Sequence, residues 1–61
     1  MPIVQIELLA GRTVDQKRAL VAKVTNAICE SLDVTPDKVS IILRDMEYHN
    51  YAKNGKLFSD K

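Results

Sequence analysis

The chain has one cysteine, no tryptophan, two glycines and two prolines among its 61 residues. A lone thiol excludes an internal disulfide, and with one histidine there is no Cys/His set of the kind that holds structural zinc. Gly11 and Gly55 stand isolated, so no glycine-rich phosphate loop is present. Charge of one sign is also scarce. Nine Lys and Arg against eight Asp and Glu leave a formal +1 with the signs interleaved, which argues against a nucleic-acid surface. No apolar run approaches the ~20 residues of a membrane span, and no basic leader precedes an apolar stretch. A cytoplasmic protein with no membrane contact is the expectation.

What is present is an ordinary globular balance, 46% apolar and 28% charged, too apolar for a disordered segment. One domain over residues 1–61 is expected. A monomer of this size buries only about 60% of its unfolded surface, and neither disulfide nor metal is available to staple it. A symmetric homo-oligomer is the remedy left.

Pro2 to Leu9 reads as a strand, with Val4, Ile6 and Leu8 on one face and Gln5 and Glu7 on the other. Gly11 and Arg12 form a turn, and Thr13 with Gln16 has the spacing of a capping box. A helix over residues 14–32 follows, with Leu20, Val21, Val24, Ala27, Ile28 and Leu32 as its apolar stripe and Lys17, Arg18, Lys23, Asn26 and Glu30 mostly off it. Asp33 to Asp37 breaks the helix, and Thr35 before Pro36 suggests a capped short turn. Val39 to Leu43 is a second strand whose continuous apolar character predicts burial on both faces, as in a parallel pair joined through the helix. Asn54-Gly55, between the arms Tyr51–Lys53 and Lys56–Phe58, signals a C-terminal hairpin. The fold class is therefore α/β: a β-α-β unit with a short hairpin, one sheet face left open for neighbouring subunits.

Pro2 carries the most chemical information. Removal of Met1 exposes a secondary amine at the start of a strand, and apolar surroundings or nearby guanidinium groups disfavour its protonated form, drawing it toward the range of a general base. With Met1 attached the same nitrogen is an amide without a basic lone pair. The alternative is that Pro2 only permits Met1 removal and blunts the strand. Arg12, between a strand and a helix N-terminus, suits a carboxylate; it also suits a solvated turn. Arg44 can contribute to an anion pocket or pair with Asp45 or Glu47. Tyr51 can supply an apolar wall and a hydroxyl at a subunit boundary. His49 has no metal-ligand spacing with acidic partners, and Cys29 reads as an inert packed thiol.

Taken together, Pro2-Ile3-Val4, Leu9-Ala10-Gly11-Arg12-Thr13, Asp15-Gln16-Lys17, Val24 to Ile28, and Asp45-Met46 ahead of His49 and Tyr51 closely resemble the 4-oxalocrotonate tautomerase family. The resemblance covers nearly the whole chain. It implies the tautomerase (MIF-like) fold, a hexamer built as a trimer of dimers, no cofactor and no metal. It implies a small carboxylated enol as the partner, ketonised from a 2-hydroxymuconate-type dienol to a conjugated 2-oxo acid. Residue by residue, Pro2 matches the base and Arg12 the arginine that holds the distal carboxylate. Tyr51 stands where the family commonly has a phenylalanine wall. Ser40 stands where the best-characterised members carry an arginine supplied by a neighbouring subunit, and a hydroxyl cannot make that bidentate contact. Leu9 and Arg44 complete the candidate pocket, although Arg44 lies ~13 Å along the strand from Ser40. A phenylpyruvate-type enol tautomerase and a noncatalytic oligomeric binding protein on the same fold are the competing readings.

Overall fold

The computed structural model describes residues 1–60, so Lys61, the last residue of the expected domain, lies outside the described residues. Strand β1 (Ile3–Leu9) leads through helix α1 (Val14–Leu32) and a 3₁₀ turn (Pro36–Lys38) to strand β2 (Ser40–Met46). A second 3₁₀ turn (Tyr48–Asn50), strands β3 (Ala52–Lys53) and β4 (Lys56–Leu57) and a last 3₁₀ turn (Phe58–Asp60) complete the chain.

β1 and β2 pair in parallel from Ile3 opposite Ser40 to Leu9 opposite Met46. The second strand thus runs three residues beyond its expected end and starts one residue after Val39. Pairing with β1 overrides the polar character of Arg44 and Asp45, because each of these charges meets an opposite one outside its own strand. Arg44 donates to the Glu7 carboxylate at 2.8 Å, and Lys17 Nζ to Asp45 at 2.6 Å. Arg44 therefore pairs with neither Asp45 nor Glu47. Strand alternation turns Asp45 to the opposite face, and Glu7 is the residue directly across the ladder.

The capping box forms as expected: the Gln16 amide donates to the Thr13 hydroxyl at 3.1 Å, and the Thr13 amide to Gln16 Oε1 at 2.9 Å. Thr13→Ala should lower unfolding stability by about 1 kcal/mol, measurable by chemical denaturation, with little effect on the assembled fold. Asp33, in the left-handed region at φ 56°, ends the helix. Thr35 does not cap the next turn through its side chain; its hydroxyl donates to Asp37 instead. The hairpin is antiparallel, Ala52 opposite Leu57 and Lys53 opposite Lys56, with both turn residues at positive φ, Asn54 at 55° and Gly55 at 77°.

Leu20, Val21, Val24 and Ile28 are half-buried on α1, whereas Ala27 and Leu32 are exposed despite their places in the stripe. Lys17 departs in the other direction and is half-buried. No described residue is fully buried. β2 is not buried on both faces in the single chain, since Ile42 is 41% and Ile3 65% exposed on the sheet face away from the helix. The exposed surface is 4867 Å², against roughly 4,000 Å² for a compact chain of this mass. The radius of gyration is 14.7 Å, where a compact domain would have about 10.5 Å. Among the described residues no helix is long and apolar enough to cross a membrane.

Candidate active site

The ends of the parallel pair carry different chemistry. At the start of β1, Pro2 is half-buried and its carbonyl accepts from the Ser40 amide at 3.0 Å, which joins Pro2 and Ser40 at one end of the sheet. Leu9 and Arg12 stand at the other end, after the full length of β1. Six residue steps separate Ile3 from Leu9, ~20 Å of strand. A small diacid is far shorter than that, so Pro2 and Arg12 of one chain do not converge on one substrate.

Arg12 opens onto two cavities. The larger, of about 460 Å³, is walled by Leu8, Leu9, Ala10, Tyr48 and Phe58, with Glu7 and Arg12 as its charged groups. The smaller, of about 180 Å³, is lined by Leu8, Arg12, Gln16, Lys17 and Leu20. Arg12 is the arginine left without an acidic partner among the described residues; Arg18 pairs with Asp15 at 2.7 Å and Arg44 with Glu7. A guanidinium left free in a partly apolar cleft is available to a carboxylate ligand.

The other candidates fall into place around these ends. Arg44 lines neither cavity, yet it neutralises Glu7, which does. Tyr51 stands one ring back from the larger cleft, its ring centre 5.9 Å from that of Phe58, and its carbonyl accepts from the Phe58 amide at 2.8 Å. Tyr48 meets Phe58 edge-on with centres 5.1 Å apart. The Tyr48 and Phe58 walls, and Glu7 and Lys17 as lining charges, are the features that sequence reading missed. The aromatic side chains after Met46 were the available signal, but their meeting requires the hairpin to fold back over the end of β1. Among the described residues no cluster of His, Cys, Asp and Glu could hold a metal ion.

A family model described as a tautomerase enzyme matches residues 2–61. The chain belongs to the tautomerase family. A "probable tautomerase" of Halalkalibacterium halodurans is 43% identical over 61 residues, all of both chains. A 2-hydroxymuconate tautomerase of Bacillus subtilis is 42% identical over 60 residues, covering 98% of this chain and 97% of the relative. Among solved structures, a 4-oxalocrotonate tautomerase isozyme of Methylibium petroleiphilum superposes with a TM-score of 0.93 at 41% identity, over 97% of this chain and 92% of its own. This tautomerase is accordingly an isomerase of the 4-oxalocrotonate tautomerase type, acting between keto and enol forms, and its β-α-β fold is that of the family.

Proposed function

We propose that this tautomerase ketonises 2-hydroxymuconate-like dienol acids to conjugated 2-oxo acids, at a site completed only when Pro2 of one copy meets Arg12 of another. The observation that carries this reading is the separation of a free arginine from the N-terminal proline by the length of β1, in a chain whose sheet face is open. After Met1 removal the Pro2 amine takes the hydroxyl proton of the dienol. The O–H electrons form the carbonyl, the conjugated double bonds shift, and the proton returns from Pro2 to the far carbon, so the reaction is a net isomerisation. Arg12 holds the carboxylate remote from the reacting oxygen and draws negative charge toward it. Phe58, with Tyr51 behind it, belongs to the wall that limits water and favours the unprotonated amine. The name of the Bacillus subtilis relative supports this substrate class.

The flat shape, the exposed Ile3 and Ile42 on the open sheet face and the absence of any fully buried residue among those described support a homo-oligomer, and we take the assembly to be a hexamer. Sedimentation or native mass should find a particle of about six times the 6.9 kDa chain. Its place is the cytoplasm, where the Cys29 thiol stays reduced.

A phenylpyruvate-type enol is the second reading, favoured by Ser40. Beside Pro2 this strand offers a hydroxyl, and Arg44 lies four residues away with its guanidinium on Glu7. The test is an intact mass of the natively produced protein, followed by assays of the same sample with 2-hydroxymuconate and with enol phenylpyruvate. A mass lacking Met1 with preferred diacid turnover is the expected result. A processed chain that turns over only the monoacid enol would transfer the assignment to the second reading.

A further inference from the structure

Three acid–base pairs lie on the described surface, and the one between Lys17 and Asp45 differs from the rest. The Asp15–Arg18 pair is largely exposed, and Glu7 and Arg44 are each about half exposed. Lys17 retains only 26% of its side-chain exposure, at the first turn of α1, and reaches Asp45 near the end of β2 at 2.6 Å. It also lines the smaller cavity together with Arg12. The floor of that cavity is apolar, Leu8 and Leu20, and its polar groups are donors: the guanidinium, the ammonium and the Gln16 amide, whose oxygen is occupied by the Thr13 amide. Asp45 stands opposite Leu8 in the ladder, one strand spacing from this floor.

We propose that Lys17 is the second cation of the carboxylate-binding end, and that Asp45, by holding its ammonium, sets how strongly that end prefers a diacid to a monoacid. The inference rests on Arg12 binding the remote carboxylate. With Lys17 held, the cavity presents one uncompensated cation, Arg12. Removing the Asp45 charge releases a second cation beside Arg12, over the apolar floor of Leu8 and Leu20. Removing the Lys17 charge leaves the Asp45 carboxylate uncompensated beside the pocket, opposing the substrate. The two changes break the same contact with opposite electrostatic signs.

The experiment measures kcat/KM of the processed enzyme for 2-hydroxymuconate and for enol phenylpyruvate, which lacks a remote carboxylate, and follows their ratio. Lys17→Met should lower the diacid-to-monoacid ratio about fivefold and Asp45→Asn should raise it about threefold, both through KM, for a charge acting at pocket distance. The double variant should return near the wild-type ratio. Should either single variant fail to fold, Lys17→Gln or Asp45→Ser replaces it, with the same expected sign. A bridge that only ties helix to strand would depress both activities alike in both variants. An unchanged ratio, or shifts in the same direction, would overturn the proposal. Arg12→Ala in the same assays separates the two levels: a collapsed ratio there with unmoved bridge variants defeats the Lys17 inference alone, whereas an unmoved ratio there defeats the anchor reading and this inference with it.

Discussion

Replacing Pro2 with alanine is expected to lower kcat/KM for the dienol by about 10²–10⁴-fold, the share a positioned general base contributes. Alanine also permits Met1 removal, so the variant keeps an amine, but a primary one without the ring that restricts rotation. Pro2 is anchored from behind, since its carbonyl accepts from the Ser40 amide at 3.0 Å and so fixes the residue against the sheet. A chain that keeps Met1 should lose the same factor, because its Pro2 nitrogen is an amide. The base must be unprotonated to act, so wild-type kcat/KM should rise with pH through the amine's titration. Rates and pH profiles of the two forms, each checked by intact mass, decide the matter. Undiminished turnover in the alanine variant would remove Pro2 from the role of base.

Arg12→Ala is expected to lower diacid kcat/KM by about 10–10²-fold, the range for losing a charge-assisted hydrogen-bonded contact. The monoacid enol should suffer far less, because it has no remote carboxylate to hold. Arg12→Lys should recover only part of the loss, since an ammonium keeps the charge but not the two-pronged geometry. Arg12 has no acidic partner among the described residues, whereas Arg18 and Arg44 are engaged by Asp15 and Glu7. Its removal therefore strands no carboxylate, and steady-state kinetics with both substrates reports ligand binding and not a broken ion pair. Equal losses for the two substrates would contradict the anchoring role.

The elements legible in the sequence are those encoded over a few neighbouring residues. Thr13 with Gln16, Asn54 with Gly55, and the alternation from Val4 to Leu8 each specify a local conformation that the structure adopts. What escaped depends on partners distant in sequence. Arg44 and Asp45 look unlike strand residues until Glu7 and Lys17 neutralise them across the fold. Met46 joins β2 because Leu9 lies opposite it. The continuous apolar run around Ile42 predicts burial on both faces, yet one chain supplies a cover for only one of them. Of the candidate site, Arg12 and Leu9 come together at one end and Pro2 and Ser40 at the other. The spacing of the chain contains this separation, because a seven-residue strand lies between them.

The most direct test of a site shared between copies is complementation. Processed Pro2→Ala and Arg12→Ala chains are mixed in equal amounts, exchanged by mild unfolding and refolding, and verified as mixed assemblies by native mass. In a random mixture about one quarter of the shared sites combine an intact Pro2 from one chain with an intact Arg12 from another, so turnover should recover to about a quarter of wild type. Mixed assemblies no more active than the average of the two parent variants would mean that Pro2 and Arg12 do not act across copies, and the account of the site would fail.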